Sequence, residues 1–373
     1  MRKRQYFFTE WKTDFCSTLS FPQMYLALVN APWFKWDPGL LAELTALLTN
    51  CQETQLSQVL LETHHEKLNS KQLLELKCAL ILHYARNHLK TEMLATFKSV
   101  ELSSDSHVRV SAFSSLIQAY ACMDLPHDAY TTLIDMQTHG FKPYSKDLKA
   151  VLFSFGRCAL FDNMERVTSD MEKMGSLKDP VVFNMIINTY ATVENHSKIK
   201  EWIDKMLASG VKPTVRSLNA VAKACPVLTK LSTRNTYVPI AMLFEYLETN
   251  CATQGEIKSV EYLVKLCLVQ EAVKWDTSWQ LDLHSTVVGS AYVMLLCWLK
   301  EVLGRLDTRV EFPSEIVIVT GWGKHSETRG SSLIKLMVRD LLENMGSPFM
   351  VDSQNKGRLF AKSHAVLTWL RRL

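Results

Sequence analysis

Hydrophobic residues recur along the middle of the chain at two nested spacings. At short range, "AFSSLIQAYA" (112–121) and "VFNMIINTYA" (182–191) each carry an apolar stripe returning every three to four positions, which predicts amphipathic helices. At longer range the stripe itself returns every 35 residues. Phe113, Leu148, Phe183 and Leu218 form one column, and Leu116, Val151, Ile186 and Val221 a second. Tyr120, Phe155 and Tyr190 make a third, Met136, Met171 and Met206 a fourth, and Gly140, Gly175 and Gly210 a fifth. Five columns on one period predict a repeated structural unit.

Each unit has the same internal order. A first helix is followed by a break and then a second amphipathic helix such as "KIKEWIDKMLASG" (198–210). Glycine closes the second helix, where a left-handed cap costs little without a Cβ. Lys-Pro follows at 142–143 and 212–213 and stops the helix from continuing. The unit is therefore a helical hairpin, and such hairpins bury their apolar faces by stacking on neighbours. The expected fold is an all-α superhelical solenoid of 35-residue hairpins. Full repeats fall at 110–144, 145–179 and 180–214, and a partial one starts at Val215 and runs to 222. Residues 39–109 read as degenerate repeats, with "LILHYAR" standing where "LIQAYAC" stands later. Residues 1–38 form an N-terminal segment. Residues 223–280 read as a helical cap and junction, in which "PVLTKLSTRNTYVP" interrupts the last repeat after its first helix.

The pattern changes after Trp279. "WQLDLHS", "SEIVIVTGWG" and "PFMVDSQNKGRLFA" read as strands, alternating with helices at "TVVGSAYVMLLCWLKEVLGRL", "SSLIKLMVRDLLENM" and "HAVLTWLRRL". Residues 281–373 are thus expected to form a small α/β sandwich, largely parallel, with the doubly apolar "IVIV" as a central strand.

Composition narrows the picture only slightly. The net charge of +4 permits an anionic partner without requiring one. Nine cysteines without a CxxC pair read as reduced, intracellular thiols, and no Cys/His spacing suggests zinc or any other metal site. The longest apolar run, 287–299, is shorter than the ~18–20 residues that span a bilayer, so no membrane association is expected. "MRKRQYFF" is basic and aromatic, but acidic residues follow at once, which makes a poor signal peptide and at most a fragment of a transit peptide.

The candidate chemistry sits in the tail. In "LDLH" (281–284) alternation along a strand puts Asp282 and His284 on one face, where a carboxylate can fix the imidazole tautomer for proton transfer. In "TGWGKHSETRG" (320–330), Gly321 and Gly323 allow a sharp turn that brings backbone N–H groups toward a phosphate. Lys324, His325 and Arg329 add charge, and Trp322 offers a ring for stacking on a base. Lys356 and Arg358 are placed to reach phosphate from a neighbouring turn. With 12 Lys and Arg against 9 Asp and Glu over 281–373, any grip on nucleic acid there is local. Asp282 is also a candidate ligand for a divalent cation such as Mg2+, although no carboxylate cluster accompanies it.

The 35-residue units with their "GFKPY" and "GVKPT" endings resemble the pentatricopeptide repeat family. That resemblance implies one RNA base per repeat, read by the fifth and last residues of the unit. These are Ser114 with Tyr144, Lys149 with Asp179, and Asn184 with Thr214, with Asn219 as the fifth residue of the next unit. Lys149 and Tyr144 depart from the usual choices. "LDLH", "TGWG" and "NKGRLF" (355–360) resemble the motifs of the Small MutS-related (Smr) domain. The combination is a plant organellar type. It implies a single-stranded RNA partner, a chloroplast setting with the mitochondrion as alternative, other organellar RNA-processing proteins as further partners, and a candidate RNA endonuclease. Two other readings stand beside it: a non-catalytic RNA-binding protein for transcript stabilisation or translation, and a protein-interaction scaffold.

Overall fold

The computed structural model describes residues 37–50, 54–65, 68–175, 177–234, 236–269, 273–274, 279–305, 312–321 and 332–372. Helices pair along the chain as α1 (Pro38–Asn50) with α2 (Thr54–His65), α3 (Ser70–Arg86) with α4 (Lys90–Glu101), and α5 (Ser106–Cys122) with α6 (Pro126–Thr138). They continue as α7 (Ser145–Arg157) with α8 (Phe161–Lys173), α9 (Pro180–Thr192) with α10 (His196–Ala208), and α11 (Val215–Lys223) with α12 (Pro226–Thr233). The chain divides into two compact units between Val151 and Leu152, inside α7.

This part of the chain is a helical-hairpin repeat array. In the first unit α3 packs on α1, α4 and α5, and α5 on α6. In the second, α9 packs on α10 and α11, and α11 on α12. The side chains at these seams are the sequence columns: Phe113, Leu148, Phe183, Leu218 and the three methionines are all buried. Fully burying each such side chain is worth about 1.5–3 kcal/mol.

In the hairpins α5/α6, α7/α8 and α9/α10 both the turn within the hairpin and the turn after it are left-handed. After the second helix the chain turns at Gly140, Gly175 and Gly210, with φ of 78°, 68° and 70°. After the first helix it turns at His88, Asp124, Ala159 and Glu194, with φ between 51° and 60°. At each of these the next N–H reaches back to the carbonyl at the column of aromatic residues. Leu125 N donates to Tyr120 O at 3.0 Å, Leu160 N to Phe155 O at 3.0 Å, and Asn195 N to Tyr190 O at 3.0 Å. That six-to-one bond satisfies a helix-end carbonyl and fixes the angle between the two helices.

The segment "PVLTKLST" does not interrupt the last repeat, as the sequence suggested. It forms α12, whose Pro226 occupies the first helical turn, where a missing N–H costs nothing. Beyond it come α13 (Leu243–Thr249) and α14 (Gln254–Val269), which packs on α10 and α11.

The C-terminal stretch carries β1 (Val273–Lys274), β2 (Gln280–Asp282), α15 (Val288–Arg305), β3 (Glu315–Val319), α16 (Leu333–Asn344), β4 (Met350–Val351), β5 (Arg358–Lys362) and α17 (Ser363–Leu370). The sheet order is β1-β2-β3-β5-β4. Among the described strands only β2 and β3 run parallel; β1/β2, β3/β5 and β5/β4 are antiparallel, so the expectation of a largely parallel sheet is corrected. The cause is the short turn between β4 and β5, which reverses the chain where a parallel partner would need a helical crossover. β3 is the middle strand, and Ile316, Val317 and Ile318 are buried on both faces. α15 packs on α11, α12 and α14 as well as on α16, so the sheet and the later repeats share one compact unit.

Candidate nucleic-acid interface

Ser114, Lys149, Asn184 and Asn219 fall on first helices, and Tyr144, Asp179 and Thr214 each immediately precede one; several of these side chains are already engaged. Ser114 is 1% exposed, and its hydroxyl donates to Asp147 Oδ1 at 2.6 Å. Gln118 Nε2 reaches the same oxygen at 3.3 Å, and Tyr144 N donates to Asp147 Oδ2 at 3.0 Å. A fully buried carboxylate needs such donors, and it takes Ser114 away from the role of open base reader. Tyr144, by contrast, is well exposed.

Seventy residues on, the same arrangement returns with different chemistry. Asn184 Nδ2 donates to Thr214 Oγ1 at 3.0 Å, so the fifth and last residues of this repeat touch. Ser217 Oγ donates to Asn184 Oδ1 at 2.6 Å and accepts from Thr214 N at 2.9 Å. Asn184 is itself buried, 8% exposed, and retains one N–H and one lone pair beyond these bonds. Lys149 lies half-buried on α7. Asp179 caps α9 by accepting from Val181 N at 2.8 Å.

Asn219 is not open to a base. Its Nδ2 donates to Ser285 O at 2.9 Å, and its Oδ1 accepts from Val287 N at 2.9 Å. One amide thus holds the backbone of the segment that follows "LDLH".

At the end of β2, His284 Nδ1 lies 2.6 Å from Asp282 Oδ1, which also accepts from His284 N at 3.0 Å. The ring is largely exposed and the carboxylate partly covered. The parallel register places Asp282 beside Val319, so the chain leaving β3 arrives next to His284. A Cβ on Gly321 would stand 3.5 Å from His284 Cβ, and φ of +79° there favours glycine. "LDLH" and the start of "TGWG" therefore meet in space. Trp322, Gly323, Lys324, His325 and Arg329 lie outside the described residues.

Arg358 shares a sheet row with Val319 and Asp282. Its guanidinium is not open to phosphate: Nη1 donates to Asp352 Oδ2 at 2.9 Å, and Glu315 lies 3.7 Å from Nη2. The Gln354 N–H, and after it Arg358, hold Asp352 below the usual carboxylate range. Lys356 stands exposed in the preceding turn.

Two features were missed by sequence reasoning. Asp147 and Ser217 occupy the third position of their repeats, but Val182 sits between them in that column, so no polar period signals the role. Arg216 and Lys223 sit at helical spacing with Asn219, and that signal was available.

Similarity to known proteins places the chain. A family model described as "Pentatricopeptide repeat-containing protein" matches residues 75–206. The pentatricopeptide repeat-containing protein At2g17033 of Arabidopsis thaliana is 31% identical over 355 residues, covering 93% of this chain and 70% of that protein. The Arabidopsis thaliana pentatricopeptide repeat-containing protein At4g16390, chloroplastic, is 24% identical over 275 residues, covering 69% of this chain and 38% of the relative. Among solved structures, the pentatricopeptide repeat protein PPR10 from maize superposes with a TM-score of 0.46 at 13% identity, over 80% of this chain and 43% of that one. The 31% identity spanning most of both sequences shows that this chain belongs to the pentatricopeptide repeat family.

Proposed function

We propose that the chain binds single-stranded RNA along the first helices of its repeats, and that its C-terminal α/β stretch, which resembles an Smr domain, cuts the bound strand. The observation that supports binding most directly is the Asn184–Thr214 contact: the two side chains expected to read one base touch, and Asn184, although buried, keeps one N–H and one lone pair unused. The observation that supports cleavage is the Asp282–His284 pair. With Asp282 accepting from Nδ1, the imidazole holds its proton there and presents Nε2 for proton exchange with the reacting oxygen. Asp282 is a positioning residue in this scheme and His284 the general acid or base.

A divalent cation does not fit the described residues. Hard cations take several oxygen ligands, whereas Asp282 Oδ1 is engaged by His284, and no group of three His, Cys, Asp or Glu side chains among the described residues is arranged to hold an ion. No step is routed through one. The binding-only reading draws support from Arg358, which is held by Asp352 instead of standing open to phosphate. The chloroplastic name of the At4g16390 relative supports a plastid setting.

The test is cleavage of bound RNA by wild type, Asp282→Asn and His284→Ala. General acid–base catalysis is worth about 10²–10⁴-fold, so His284→Ala should lose cleavage by that factor while keeping affinity. Equal cleavage by all three proteins would remove the nuclease reading and leave binding intact.

A further inference from the structure

The junction between the last repeat and the segment after "LDLH" contains a cavity of about 550 Å³. Its walls combine three kinds of side chain. Phe153, Val181 and Val287 are apolar yet 47%, 42% and 41% exposed, and all three line this one space. Asn188 offers an exposed amide at the mouth. Arg216 and Lys223 add two exposed cations, and neither they nor Asn188 has a hydrogen-bond or ion-pair partner among the described residues.

These residues are not scattered. Val181 and Asn188 lie seven positions apart on α9, and Arg216 and Lys223 seven apart on α11, so each pair shares one face of its helix. Between the pairs stand Asn184, tied to Thr214, and Asn219, tied to the backbone of Ser285 and Val287. The Asn219 latch carries Val287 to the cavity wall, so the groove of the repeats is closed at this point by the segment that leads back to His284.

We propose that Asn219 is a junction residue and that the cavity beside it is the terminal nucleotide subsite of the RNA track. One unstacked base lies against Phe153, Val181 and Val287, its polar edge meets Asn188, and its phosphate sits by Arg216 and Lys223. Apolar contact on a base face is tolerant of sequence, while the paired cations select for a nucleotide over an uncharged aromatic. The array thus ends one repeat earlier than its helices do, because the repeat beginning at Val215 spends its fifth residue on the tail. This inference rests on the RNA-binding reading above and adds where the track stops and which residues stop it.

The experiment uses the full chain and fluorescein-labelled single-stranded RNA, selected from a random pool on wild type, with affinity read by anisotropy. Val287→Trp fills the cavity and should weaken binding about tenfold, the scale of one stacked base. Arg216→Glu with Lys223→Glu, both at exposed positions that leave the fold alone, should weaken it at least as much. A 4-thiouridine at the strand terminus should cross-link to the peptide containing Phe153 or Val181. Wild-type affinity in both variants, with no such cross-link, overturns the subsite while the RNA-binding reading survives. Failure of wild type to select any RNA overturns the reading beneath it, and the subsite with it.

Discussion

Ala159 and Gly210 hold the same left-handed backbone at opposite ends of hairpins, and only one of them is glycine. A residue with a Cβ pays roughly 1–2 kcal/mol there, which the six-to-one hydrogen bond and the buried Phe155 offset at the first turn. Ala159→Gly should therefore stabilise the protein by about 0.5–1 kcal/mol after the entropy of the unfolded glycine is counted. Gly210→Ala should do the reverse by about 1–2 kcal/mol, although nothing lies within 4 Å of the added Cβ. Urea midpoints of the two variants should move in opposite directions; a common direction would show that contacts, not φ, set these turns. The glycine column was legible in sequence because glycine is rare enough to stand out. The column of His88, Asp124, Ala159 and Glu194 was not, since no shared side chain marks it. The engagement of Ser114 was not legible for a related reason: its partner Asp147 is 33 residues away, and only a folded hairpin shows that the carboxylate is buried.

At the scale of elements, the helix pairs were legible because each is set by local spacing, and the direction of the strands was not, because pairing joins β3 to β5 across about forty residues. The seam between α10 and α14 makes a testable case of element packing. His196, in the first turn of α10, has Nδ1 2.9 Å from Ser259 Oγ on α14, and Gly255 leaves room for its ring. Burial pushes the His196 pKa down, with Glu256 and Glu194 opposing that shift. A charged ring would also stand at the positive end of the α10 dipole. The folded state therefore binds this proton less readily than the unfolded chain. Stability from the seam is complete above the unfolded pKa, about 6.5, and falls as pH drops from there toward the folded value. His196→Gln should flatten that part of the profile, read as the urea midpoint between about pH 7 and 5. A variant profile parallel to wild type would assign the acid sensitivity elsewhere.

Across the second unit, some cations are paired at close range and others are not. Four lysines on the second helices α8 and α10 are neutralised at close range: Lys173 by Asp170, Lys198 by Glu165 and Glu201, Lys200 by Asp204, and Lys205 by Glu172. Arg216 and Lys223, on a first helix, have no such partners among the described residues. A net charge of only +4 therefore understates the attraction for an anion at α11, where these two cations stand together. The consequence is a modest and assignable salt dependence of RNA binding. Each phosphate contact on a single strand contributes about −0.7 to the slope of log affinity against log salt. Arg216→Ala and Lys223→Ala should each reduce the steepness by about that amount, whereas Lys173→Ala, which removes a cation already paired on α8, should leave it unchanged. An equal loss of slope from all three would mean that the strand follows the net field of the protein, and the assignment of phosphate contacts to Arg216 and Lys223 would have to be abandoned.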